Sequence, residues 1–165
     1  MSEDTPASVD EPQLDSILGP PPADFDGAAA PTKVMENILL RFLARVIHAD
    51  GEVHAKELSM LLELAINLEV PGDEARRILD DEFDSKSDVA ELARQLPDET
   101  RRRESYAMGC LMGASDGTVA DAERGVLADF ARGAEIPEED AQGILDAVIA
   151  AVKQTLAEQA AASSE

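Results

Sequence analysis

Sliding the chain against itself by 66 residues lays 50–80 onto 116–146 without a gap, and 12 of the 31 positions carry the same residue. The matched pairs are Asp50/Asp116, Gly51/Gly117, Val53/Val119, Glu57/Glu123, Leu61/Leu127, Ala65/Ala131, Glu69/Glu135, Pro71/Pro137, Ala75/Ala141, Ile78/Ile144, Leu79/Leu145 and Asp80/Asp146. Such self-similarity means one supersecondary unit used twice, with neighbouring copies sharing a core. Each copy reads helix, Asp-Gly-x-Val, then a Glu in the first turn of the next helix. The aliphatic pairs pack and the prolines start helices. The repeated acids need another reason.

Apolar residues recur at helical spacing from Thr32 onward, and nowhere is two-residue alternation sustained. The spacing predicts helices over 32–49 (capped by Thr32), 54–69, 73–83, 88–95, 98–114 and 120–135, and a last one from Pro137. The fold class is therefore all-α: a single bundle of about seven helices. Its halves lie at about 32–96 and 98–157, and 158–165 is expected to fray. Residues 1–31 hold six of the nine prolines, seven acids and no basic residue. That composition predicts a disordered tail. Within it Leu14, Ile17 and Leu18 fall at i, i+3, i+4, the spacing of one helical turn that docks on a partner; the alternative is three scattered apolar residues.

Charge narrows the function classes. The net charge is −21, and nucleic-acid binding depends on Lys and Arg neutralising phosphates, so no nucleic-acid partner is expected. Anionic lipid surfaces and oxyanions are repelled by the same field. The single Cys110 cannot form an internal disulfide. No apolar run of 18 residues occurs, so no direct membrane insertion is expected. The first residues are acidic where a secretory signal is basic. These features predict a cytoplasmic protein.

The repeated loop has the spacing of the second half of an EF-hand, with Asp50, Gly51, Val53 and Glu57 at positions 5, 6, 8 and 12, and Asp116, Gly117, Val119 and Glu123 repeating it. Positions 1 and 3 are Val46 and His48 in one copy, Met112 and Ala114 in the other. Calcium takes six to eight oxygens, so a true EF-hand is excluded. A water-rich cation site, or one shared between the halves, stays open. The candidate metal ligands are Asp50, Glu57, Asp116 and Glu123, with Glu52 and His54 as further candidates and calcium as the favoured ion. Loop closure is the competing reading: Asp-Gly is an ordinary turn pair, and Glu in a first turn suits the helix dipole. Val53 and Val119 are expected to fold inward and lock both turns.

Other chemistry is sparse. His54 lies three residues before Glu57, but Ala120 stands at the matching position, so no paired iron motif forms. Gly109 and Gly113 would let another helix approach, with Cys110 as a small apolar residue between them. Arg101, Arg102 and Arg103 are expected to pair with the chain's own acids. No P-loop, dinucleotide fingerprint or nucleophile elbow occurs.

The stretch from Ala44 to Glu57 (ARVIHADGEVHAKE), echoed from Met112 to Glu123 (MGASDGTVADAE), resembles the TerB family of bacterial tellurite-resistance proteins and the related region of a membrane-anchored DnaJ-like co-chaperone. The likeness covers about residues 32–157. It implies a compact seven-helix bundle with pseudo-twofold halves, and a stress-response system associated with metal ions. It further implies protein partners at the inner membrane, with this chain peripheral to the membrane through them. The acids at Asp50, Glu57, Asp116 and Glu123 would be the family's acidic positions. Direct binding of tellurite, a dianion, is not expected on so acidic a chain. Two functions follow: a non-enzymatic module that binds divalent cations or scaffolds partners, and a pure adaptor whose acids are structural and whose tail carries the docking motif.

Overall fold

The computed structural model describes residues 29–164, and among these every regular element is helical. The helices are α1 (Ala29–Ile47), α2 (Ala55–Asn67), α3 (Gly72–Ser85), α4 (Val89–Arg94), α5 (Glu99–Gly113), α6 (Asp121–Gly133) and α7 (Glu138–Ser163). The all-α expectation holds. One boundary is corrected: α1 starts at Ala29, so Thr32 lies inside it and is not its cap. Ala29 and Ala30 are strong helix formers, and Pro31 is tolerated in a first turn whose amides have no intrahelical acceptor. At the other end, the segment expected to fray continues α7 to Ser163, exposed at each position from Ala157 to Ser164.

The caps explain where elements stop. Asp88 and Asp98 accept hydrogen bonds from the amides of Glu91 (3.2 Å) and Arg101 (2.8 Å), starting α4 and α5. α2 and α6 end in the same double-bonded turn. The Val70 amide donates to the Ala65 carbonyl (2.9 Å) and the Glu69 amide to Ile66 (3.0 Å), matched by Ile136 to Ala131 (3.0 Å) and Glu135 to Arg132 (3.2 Å). This turn needs a left-handed residue, and Glu69 and Glu135 supply it at φ 57° and 58°.

The helix contacts repeat with the sequence. In the first half α1 packs on α2 and α3, and α2 on α3; in the second α5 packs on α6 and α7, and α6 on α7. The halves join through α1 on α5, with α2 crossing to α5 and α6 crossing to α1 in return. At the join, the Phe42 ring of α1 lies over Gly109 of α5, where a Cβ would collide with it. Phe42 stacks on Phe130 of α6 with ring centroids 3.9 Å apart. Both rings are fully buried, and aliphatic side chains from both halves fill the space around them.

The halves differ after Asp80 and Asp146. The shift of 66 lays α3 and α4 onto the single α7: the break at 84–88 (Asp-Ser-Lys-Ser-Asp) falls on 150–154 (Ala-Ala-Val-Lys-Gln). Ser and Asp compete with helix by bonding local backbone, whereas Ala and Gln continue it. Glu82, nearly inaccessible, anchors the break, accepting from the Arg41 guanidinium (2.7 Å) and the Ser87 amide (3.0 Å). Freed from α3, α4 turns onto α6, where a Cβ on Gly133 would strike the Ala90 backbone.

Candidate carboxyl site at the repeat join

Each Asp-Gly loop is built the same way. Gly51 and Gly117 adopt φ of 83° and 90°, a region L side chains rarely enter. Asp50 accepts from the Glu52 amide (2.9 Å), and Asp116 from the amide and hydroxyl of Thr118 (3.0 Å each). Two residues of side-chain-held turn then deliver the chain to a helix start. There Glu57 accepts from the His54 amide (3.4 Å) and Glu123 from the Ala120 amide (2.7 Å), each carboxylate satisfying a donor that the helix leaves free.

Because α2 crosses to α5 and α6 to α1, the two helix starts converge. Glu57 and Glu123 are 5% and 6% exposed, and their carboxyls lie close enough to act on one another. Burial raises the pKa of both above the ordinary Glu range, against the pull of the helix-start amides. Asp50 pushes both further up, and for Glu123 so do Glu57 and Asp116. Gly113 lies beside the pair: a Cβ there would stand in ordinary contact, 3.8 Å from Glu123 Oε2 and 3.5 Å from Val46.

The two aspartates lie at the rim, exposed. The Thr118 amide above all, with its hydroxyl and Lys56, holds Asp116 below the usual Asp range. Lys56 Nζ donates to the Ser115 carbonyl across the join (2.6 Å). Ala122 stands at the matching position of the second half, so the repeat pattern gave no sign of this clamp. His54 is exposed, its Nε2 3.7 Å from Asp50 Oδ2, and Glu52 is exposed beside it. Among the described residues no group of three or more His, Cys, Asp or Glu is placed to hold a metal ion. Leu14, Ile17 and Leu18 lie outside the described residues.

One loop expectation is corrected. Val119 is buried at 8% exposure, but Val53 stands 39% exposed. Val119 reaches inward over Gly113, and its loop is covered by Lys153 and Leu156 of α7, both near Gly117. The first half has the bulkier Ile47 where the second has Gly113, and nothing lies within 4 Å of a Cβ built on Gly51.

The remaining candidates are structural. Arg102 and Arg103 bind Glu135 (3.5 Å) and Asp140 (2.8 Å), and Arg101 binds Glu104 (3.3 Å), so the basic cluster pairs internally as expected. Burial pushes the Cys110 thiol up to about 12, the opposite of a reactive thiolate. His48 is half-buried, edge-on to Phe83 at 5.2 Å, with its pKa lowered first by burial and then by Arg45.

A family model covers most of the helical repeat. The model described as "Protein of unknown function (DUF533)" matches residues 3–148. The chain belongs to the DUF533 family. No curated protein and no solved structure matches it.

Proposed function

We propose that the chain is a non-enzymatic, TerB-like stress-response module of the tellurite- or metal-resistance type, which takes up divalent cations at the join of its repeats and scaffolds protein partners. The observation that carries this reading is the buried Glu57–Glu123 pair. Two buried acids, each with its pKa raised first of all by burial, sit under two more acids at the rim. Such an arrangement costs the fold stability at neutral pH, and perturbed acids of this kind gather where a charge is handled. The four carboxyls do not amount to a calcium shell. Two of them meet, each Glu has an oxygen on a helix-start amide, and each Asp has one on a loop amide. Calcium's six to eight oxygens are not present. The arrangement suits an ion that keeps most of its water.

Melting curves with calcium, magnesium, manganese or zinc at matched ionic strength test this. Millimolar ion should raise the Tm of the natural chain, and the fourfold variant Asp50→Asn, Glu57→Gln, Asp116→Asn, Glu123→Gln should not respond. An unchanged curve for the natural chain would sink the cation half of the proposal.

A second reading is favoured by the same hydrogen bonds: the acids serve only to close loops and cap helices, and the chain is a pure adaptor. Its prediction is the reverse, with no ion response and a loss of partner binding when Leu14, Ile17 and Leu18 are replaced.

A further inference from the structure

The repeat leaves one helix face without its counterpart. α6 packs against four helices: α5, α7 and α1, and across the join α4. α2 packs against α1, α3 and α5, the equivalents of the first three, and among the described residues no helix lies along it as α4 lies along α6. The element that symmetry would bring there is 155–160, the match of α4, but it continues α7 without a break. The open face can be read by register. Around Gly133, which touches the Ala90 backbone, α6 buries Val126, Phe130 and Ala134. The matching first-half residues are Met60, Leu64 and Leu68, all only half-buried, with Asn67 exposed in place of Gly133.

α4 is a short helix that presents Val89, Leu92 and Ala93, at i, i+3, i+4, and stops before Pro97. One other segment of the chain has that sequence pattern. Residues 12–18 begin with Pro12, carry Leu14, Ile17 and Leu18 at i, i+3, i+4, and stop at Gly19-Pro20. The reach is sufficient. Ten residues, 19–28, separate Leu18 from α1, and an extended chain spans about 3.3 Å per residue. The start of α1 is already at the right end of α2, since Lys33 and Asn37 share a groove with Glu69 and Val70. The family match begins at residue 3, so this segment belongs to the family pattern.

We propose that residues 12–18 supply the missing helix, seating Leu14, Ile17 and Leu18 on Met60, Leu64 and Leu68 so that α2 is covered as α4 covers α6. The occupant comes from the same chain, not from a partner. This latch is independent of any ion at the carboxyl pair. Tail and domain are both acidic, so their long-range repulsion opposes docking and salt strengthens it.

The test is a nitroxide on Ser16→Cys in the full-length, methyl-labelled protein. Ser16 falls opposite the apolar side of the turn, and Cys110, fully buried, does not take the label. The oxidised label should erase the methyl signals of Met60, Leu64 and Leu68, and reduction should restore them. Adding Leu14→Ser, Ile17→Ser and Leu18→Ser should keep those signals intact with the label oxidised. Mixing spin-labelled chains with separate methyl-labelled chains should leave them intact as well. Undiminished signals in the Ser16→Cys protein would overturn the proposal. So would losses centred on another helix, or losses that appear in the mixed sample, which would assign the face to a second copy.

Discussion

Glu57 and Glu123 act on stability through the proton they hold. Burial raises both pKa values in the folded state, so the folded protein binds protons that the unfolded chain releases. The resulting contribution is complete below the unfolded Glu value of about 4.3 and is lost as pH rises through the folded values. Glu57→Gln and Glu123→Gln should each flatten the fall in Tm between about pH 4.3 and neutrality, and each should raise Tm at pH 7. A variant whose pH profile matched the natural one would show that its acid titrates normally. Glu69 and Glu135 carry a different cost, in the backbone. Each holds a left-handed φ in a turn that favours glycine. Glu69→Gly should stabilise the protein by roughly 0.5–1 kcal/mol in urea unfolding, the opposite of what glycine does inside a helix. The sequence pairs Glu69 with Glu135 plainly, but a Glu does not announce a left-handed turn as Gly or Asn would.

At the scale of elements, helix positions were legible because apolar spacing, capping aspartates and Pro or Gly breaks are local signals. Thr32 misled for a local reason too: two alanines and a first-turn proline carry α1 back to Ala29. Val53 misled because the cover that buries Val119, Gly113 beneath it and α7 over its loop, lies outside the repeated loop and is not shared by the first half. The contact of α4 with α6 offers a sharp test within one helix. Gly133→Ala forces a Cβ into the Ala90 backbone and should cost at least about 1–3 kcal/mol, the range for overpacked sites. Gly125→Ala, with nothing within 4 Å, should stabilise by roughly 0.5–1 kcal/mol through helix propensity. Urea unfolding of the two variants checks both signs; equal effects would mean that α4 yields without cost.

For the whole molecule the governing quantity is charge. The first 31 residues carry seven acids and no base, and the remainder still holds 28 acids against 14 basic residues. Self-repulsion of a surface this acidic destabilises the compact state. Raising sodium chloride from about 0.01 to 1 M shortens the screening length from about 30 to 3 Å, and Tm should climb across that range. Any effect of a divalent ion must exceed this screening to count as binding. No helix among the described residues is long and apolar enough to cross a membrane.

Helical class, the two repeats, the Asp-Gly turns and the four acids were all readable from the chain, because each is set by neighbours within a turn or two. The joining of Glu57 to Glu123 was decided by tertiary structure. It depends on α2 packing on α5 and α6 on α1, which brings residues 66 positions apart together where both are buried. The asymmetry of the repeats has the same origin: a five-residue change of helix propensity breaks one copy, whose end packs on its neighbour, and leaves the other a single helix. Local chemistry specifies turns and helices, whereas burial and electrostatic coupling exist only once distant segments have excluded water from between them.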